Sequence, residues 1–259
     1  MRVFFSLFCL PKFGNTEQEF EDAFFPTKEG EKEGQVLRFA VADGTTEGIL
    51  SGKWAEILVK TFCRQIKKDV NFQYYVEKCC KHWLIYEKKY IEFREKQNKP
   101  IQWFEEPLLQ AGAFSTFLGF TLIDSGNSYG SWEAIALGDT CLFQVRGEDL
   151  ITKFPIQQPS EFNDRPSLVS SKSHNDKKES DALKTNGKLQ CDDRFYIMTD
   201  ALACWFLKEY ESGKSPWQTI RKFLTNDHQP KFNEWISDLR SNKHIRNDDV
   251  TLIHISIEG

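Results

Sequence analysis

A chain of mixed strands and helices is what the sequence predicts, and three observations carry that reading. Short apolar, strand-like runs lead into or out of acidic residues, as in Phe39-Ala40-Val41-Ala42-Asp43-Gly44 and Tyr196-Ile197-Met198-Thr199-Asp200. Two longer stretches repeat apolar residues at helical spacing, and two alternating runs flank a turn-rich segment. With 259 residues, 40% hydrophobic and 14% aromatic, the chain can fill the core of one large domain or two small ones from its 22 Phe and 7 Trp.

In order, Met1–Leu10 reads as a buried first strand. Its apolar stretch is short for a signal peptide, lacks a small-residue cleavage motif and runs into Pro11-Lys12. A polar loop with Glu21 and Asp22 follows, then a strand ending at Asp43. A helix is predicted over 48–65, where Trp54, Ile57, Leu58, Phe62 and Ile66 recur on one face, and a second over 72–97, closed by Pro100. Residues 113–123 and 132–145 read as a pair of long antiparallel strands, with Asp139 within the second and the turn at 124–130. Residues 157–187 lose apolar periodicity and collect Pro, Ser, Asn, Asp and Lys, as a surface insertion or flap does. A strand over 194–199, helices over 202–211, near 217–224 and over 232–240, and a closing strand 250–257 complete the chain.

The acids gather in five segments: Glu21-Asp22, Asp43, Asp139, Asp200 and Asp248-Asp249. Carboxylates at strand ends are what a divalent-metal site needs, because hard oxygen ligands suit Mg²⁺ or Mn²⁺. Each also has a plainer use. Asp43 and Asp200 precede helices and could cap them, Asp248 could open the last strand as a turn residue, and Glu21 and Asp22 could be solvated charges.

Other chemistries find less support. A net charge of −4 and a pI near 5.8 give no general electrostatic reason to bind nucleic acid or an anionic membrane. No apolar run approaches the ~20 residues that cross a bilayer. Seven Cys with no C-x-x-C pair argue against a disulfide framework or a zinc site, so reduced thiols and a cytoplasmic location are expected. His82, His174, His228, His244 and His254 show no metal-ligand spacing, and neither a G-x-S-x-G elbow nor a P-loop occurs.

In their order along the chain, Glu21-Asp22-Ala23, Val41-Ala42-Asp43-Gly44, Leu137-Gly138-Asp139-Thr140, Met198-Thr199-Asp200-Ala201 and Asp248-Asp249-Val250-Thr251 resemble the motifs of the metal-dependent protein phosphatase 2C (PPM-type) serine/threonine phosphatases, in particular the bacterial branch. The resemblance spans nearly the whole chain. It implies an α+β, four-layer α-β-β-α sandwich of two antiparallel sheets flanked by helices, formed as a single domain over 1–259, with two Mn²⁺ or Mg²⁺ ions at one end. By motif, Asp43 would bridge the ions, the Gly44 carbonyl would complete the first shell, Asp200 and Asp248 would hold the second ion, and Glu21 and Asp22 would act through water. Asp139 resembles the anchor of a third ion, but the acid that commonly joins it is Cys204 here, so a third ion is not expected.

Other departures stand out. The phosphate-gripping Arg of many members is Glu17, which leaves Lys12, Arg38 or Lys53 as candidates. The Asn before Glu-Asp is Phe20, the His after Asp-Gly is Thr45, and Thr-Asp-Gly becomes Thr-Asp-Ala at Ala201. The function so implied is hydrolysis of phosphoserine or phosphothreonine in a partner protein, countering a serine/threonine kinase, by attack of a metal-bridging hydroxide and with no covalent enzyme intermediate. Asp43 and Asp22 are its catalytic candidates. The alternatives are a phosphatase-like module that binds a phosphorylated partner without turnover, and a hydrolase of small phosphoesters.

Overall fold

Strand-forming runs account for most of the buried apolar residues, and in the computed structural model they pair into two facing antiparallel sheets. The structure describes residues 1–46, 48–65, 71–126, 130–172, 181–224 and 229–257. Along the chain come β1 (Arg2–Leu10), β2 (Asp22–Phe25), β3 (Gly30–Glu33), β4 (Val36–Asp43), α1 (Ser51–Cys63), α2 (Phe72–Lys96) and α3 (Glu106–Ala111). Then follow β5 (Phe114–Ser115), β6 (Phe117–Ile123), β7 (Ser131–Leu137), β8 (Cys141–Arg146), β9 (Asp149–Phe154), β10 (Val169–Ser170) and β11 (Leu183–Lys188). The chain finishes with β12 (Asp193–Met198), α4 (Asp200–Glu211), α5 (Pro216–Arg221), α6 (Gln229–Ser241) and β13 (Val250–Ile257).

One sheet runs β3-β1-β13-β12-β8-β9 and the other β11-β7-β6-β4-β2, with β5 and β10 as a short separate pair. Alternation decides which face each residue serves. On β4, Leu37, Phe39 and Val41 face the opposing sheet, where with Phe120 of the neighbouring β6 they meet Phe195, Ile197 and Ile253, while Ala40 and Ala42 lie beneath α1. Those two small side chains leave room for Trp54, Leu58 and Phe62 of α1, backed by Tyr75 and Trp83 of α2. On the far side, Phe143 of β8 stacks on Phe206 of α4 at 4.3 Å, and Trp217 of α5 and Phe232 of α6 close that layer. The result is the predicted α-β-β-α sandwich with three apolar layers.

Three boundaries differ from the sequence reading. The run 132–145 is two strands: β7 pairs with β6 in one sheet, and β8 pairs with β12 in the other. Gly138 makes the break, at φ +100°, where a Cβ would lie 2.7 Å from the Thr116 side chain and 2.8 Å from the Ser167 carbonyl oxygen. Asp139 therefore sits in the crossing between sheets and not within a strand. The polar segment 157–187 is partly built into the fold, since β10 pairs with β5, β11 pairs with β7, and the Val169 carbonyl accepts the Trp54 indole N–H at 2.8 Å. Residues 173–180, with His174, lie outside the described residues, as do His228, Ile66 and part of the 124–130 turn. The helix expected near 217–224 is the shorter α5.

β1 and β13 are neighbours along their full length, with Leu10 opposite Val250 at one end and Val3 opposite Ile257 at the other. Among the described residues, no helix is long and apolar enough to cross a membrane.

Candidate metal centre

The antiparallel ladders bring the acidic segments to one end of the sandwich. β4 ends at Asp43, and Asp22, the first residue of β2, lies directly opposite it in register. Like charges facing each other across a ladder destabilise the pair unless a cation intervenes. Asp200 follows β12 as the first residue of α4, Asp248 stands two residues before the start of β13, and Asp139 occupies the crossing from β7 to β8. The Asp43 backbone is pinned: its N–H donates to Thr116 Oγ1 at 3.2 Å, and its carbonyl accepts from the Thr116 N–H at 2.9 Å and the Ser115 hydroxyl at 2.8 Å. Thr116 also reaches Thr140, beside Asp139, at 2.7 Å between hydroxyls.

The helix-cap reading does not hold for Asp43, whereas Asp200, at the first helical position, keeps part of one, its Oδ1 accepting the Ala201 N–H at 2.5 Å. α1 begins at Ser51 after Leu50, well beyond Asp43. At α4 the capping position is Thr199, whose hydroxyl instead accepts the Thr251 N–H at 3.0 Å and ties β13 to the α4 start. Gly44 donates its N–H to the Glu21 carbonyl at 3.2 Å, and a Cβ there would lie 2.8 Å from that oxygen and 2.8 Å from the Ser51 carbonyl carbon. Only glycine allows the Asp43–Gly44 turn to pack so closely on the Glu21 loop.

The cluster is short of positive charge. Burial first, then Asp22, Asp200, Asp248 and Asp139, push the Asp43 carboxyl well above the usual carboxylate range. Burial first, with Asp249 and Asp200 adding, does the same to Asp22, against the hydrogen bond its Oδ2 accepts from the Thr251 hydroxyl at 2.7 Å. Asp139 is raised to about 7 by burial and then by Asp200. Asp200 is raised to about 6 by burial, with Arg246 opposing and Asp248 adding. Asp22 Oδ1 is buried with no hydrogen-bond partner among the described residues.

Asp43, Gly44, Asp139, Asp200 and Asp248 line a cleft of about 940 Å³. Glu21 and Asp22 stand behind its wall. Of the candidate cations, Lys12 is near, with Nζ 3.4 Å from Glu21 and 3.1 Å from Thr46 Oγ1. Arg38 donates to the Gln65 carbonyl at 2.7 Å and Lys53 pairs with Glu56 at 2.6 Å, so neither reaches the cleft. Thr45 lines the cleft, and Glu17 lies in an exposed single turn.

Two residues were given no role by the sequence reading. Asp249 accepts the Lys12 N–H and the Glu21 N–H, both at 2.7 Å, and so fastens the loop carrying Glu21 and Asp22 to the start of β13. Arg246 donates to Asp200 Oδ2 and lies 2.9 Å from Asp248 Oδ2. Its place two residues before Asp248 was the one available signal.

Hard oxygen donors, an orphaned buried carboxylate oxygen and the glycine-only turn at Asp43 fit Mg²⁺ or Mn²⁺. Among the described residues, no three acidic, histidine or cysteine side chains already close around one point as an ion's ligands. Arg246 instead pairs with Asp200 and Asp248.

No protein-family model and no curated protein matches the sequence. Solved structures do match over essentially the whole length. The serine/threonine phosphatase PstP/Ppp of Mycobacterium tuberculosis superposes with a TM-score of 0.55 at 12% identity, covering 100% of each chain. The PstP catalytic domain has also been crystallised in complex with two manganese ions. The photosystem II phosphatase PBCP gives a TM-score of 0.59 at 15% identity over 99% of each chain. RsbX, in complex with magnesium, gives 0.53 at 16% identity over 99% of this chain and 96% of its own. At such identities the likeness is one of architecture, and it extends from β1 to β13: the chain has the fold of the phosphatase 2C-type serine/threonine phosphatases.

Proposed function

We propose that the protein is a metal-dependent phosphatase of phosphoserine and phosphothreonine in a partner protein. The observation that carries this is the convergence of Asp43, Asp139, Asp200 and Asp248, from four separate segments, on one cleft at the end of a phosphatase 2C sandwich. Asp43, the Gly44 carbonyl, Asp200 and Asp248 would hold two ions, Mn²⁺ or Mg²⁺, with Glu21 and Asp22 supporting from behind. Ions bound there supply an acidified water and neutralise charge on the transferred phosphoryl group.

The chain's own residues set the geometry around that chemistry. Thr116 fixes the Asp43 backbone, Thr251 holds Asp22 Oδ2, and Asp249 holds the Glu21 loop, so the carboxylates meet the ions at little ordering cost. Asp139 lies on the cleft wall, but Cys204 stands where a second acid would be needed, and the proposal includes no third ion. With Thr45 in place of an imidazole, the proton for the leaving oxygen comes from water in the open cleft. No side chain is needed as a covalent nucleophile.

The test is hydrolysis of a phosphothreonine peptide with Mn²⁺. Asp43→Asn and Asp200→Asn are each expected to lower turnover more than about a hundredfold. Turnover that persists in chelator, or that ignores both substitutions, would sink the proposal. The pairing of Arg246 with Asp200 and Asp248 favours a second reading, a module that binds phosphorylated partners without turnover. That reading expects phosphopeptide binding in chelator and no hydrolysis on any phosphoester.

A further inference from the structure

Arg246 lies among acids that the proposed function assigns to an ion. One of its terminal nitrogens serves both Asp200 Oδ2 and Asp248 Oδ2, and the other lies 3.6 Å from Asp164 Oδ1. A guanidinium stays protonated at any working pH, so it is a fixed positive charge on that pair. An ion that takes the Oδ2 atoms of both carboxylates must displace it.

Displacement is open to this side chain. Half of its surface is exposed on the cleft wall, and its third partner, Asp164, is 98% exposed, which makes that contact weak. Once Asp200 and Asp248 turn away, the planar fork of N–H donors has lost its two close partners while still facing the cleft. The group next to arrive there is a phosphate, whose paired oxygens match that fork. The position expected to grip phosphate is Glu17, on an exposed turn, and among the described residues lining the cleft the other Lys or Arg is Arg165, which is exposed.

We infer that Arg246 is a two-position cation: it holds Asp200 and Asp248 together when no ion is bound, and anchors the substrate's phosphate once ions take those acids. This rests on the metal-dependent reading above. Arg246 thereby acts as a positioning residue for the acids in one state and as a substrate-binding residue in the other.

Calorimetric titrations separate the two roles. Mn²⁺ is titrated into wild type, Arg246→Ala and Arg246→Lys, and inorganic phosphate is then titrated into each protein with Mn²⁺ and in chelator. Arg246→Ala is expected to bind Mn²⁺ about tenfold more tightly at the weaker site, because the competing cation is gone, and phosphate about tenfold more weakly in Mn²⁺. Arg246→Lys keeps the charge without the fork, so its Mn²⁺ affinity stays near wild type while phosphate weakens severalfold; it carries the test if the alanine variant does not fold. Unchanged or weaker Mn²⁺ binding by Arg246→Ala, unchanged phosphate affinity, or tight phosphate binding by wild type in chelator would each overturn the inference. If wild type takes up no Mn²⁺ at all, the phosphatase reading fails with it. If wild type binds Mn²⁺ and hydrolyses phosphopeptide while the Arg246 variants match it, only the inference fails.

Discussion

At single residues, the acids are held in a balance that substitution should expose. Asp43→Asn removes a buried carboxyl that burial and four other carboxylates all oppose, so it should melt about 3 °C higher than wild type in chelator. A lower melting point in chelator would contradict that electrostatic account. Gly44→Ala should cost about 2 kcal/mol, because its Cβ meets backbone on two sides and neither neighbour is a side-chain tip that can swing away; equilibrium unfolding in urea measures it. His254, remote from the cleft, titrates in the opposite sense to the acids. Burial first, then Arg194 and Arg221, hold its imidazole down to about 3. The unfolded chain, where a histidine titrates near 6.5, takes the proton first. This residue's contribution is therefore whole above about pH 6.5 and drains away as pH falls toward 3. The stability difference between wild type and His254→Leu should shift by about 2 kcal/mol between about pH 7 and about pH 5, against the wild type at the acid end. At this scale the sequence was most legible for Asp43, Asp200 and Asp248, because each follows or precedes an apolar run within a short motif. Arg246 had only its place two residues before Asp248 to mark it, in a loop whose Lys and His could equally have turned inward, and Asp249 passed as the second letter of a motif although its carboxylate grips two loop N–H groups.

Between elements, the decisive joints are short and polar. Asp249 is buried and spends both oxygens on backbone N–H groups of the segment between β1 and β2, with Asn247 accepting the Phe13 N–H beside it at 2.7 Å. Hydrogen bonds to a charged acceptor contribute about 1.5–3 kcal/mol each. Asp249→Ala should accordingly lower the melting point by roughly 10 °C and weaken Mn²⁺ binding, since Glu21 and Asp22 lose their mooring. A melt unchanged within about 1 °C would remove the clamp from the account. The joint between β7 and β8 shows why some element boundaries could not be read. Both strands are nearly continuous apolar runs, buried on both faces, with three residues between them, so Trp132–Val145 reads as one strand, and Gly138 at φ +100° marks where the chain leaves one sheet for the other. α3 has six residues, and β2, β3 and β9 are short or polar on one face, too little for periodicity to register. The long helices α1 and α2 and the closing strand β13 were legible, because each carries a full apolar stripe or run.

Over the whole molecule, binding of the proposed ions would be linked to folding. A set of buried carboxylates at the ladder ends penalises the ion-free state, and an ion that binds the folded chain alone stabilises it by RT ln(1 + [L]/Kd), about 2.7 kcal/mol at a hundred times Kd. Mn²⁺ should raise the melting point by about 5–10 °C over chelator, and Asp43→Asn should abolish most of that rise. An equal rise in the variant would place the ion elsewhere. The sandwich itself was legible only through the order of the acidic motifs, since alternation and amphipathic stripes predict strands and helices but do not say which strands share a sheet. The pairing of β1 with β13 has a practical side. Both strands run the length of the sandwich, so Val3 and Ile257 stand together about 24 Å from the Leu10–Val250 end where the acids lie. Whatever is joined to the chain beyond either residue, a tether, a dye or a second folded unit, starts from the face opposite the cleft. A molecule immobilised by either strand end would present its carboxylates outward to the solution.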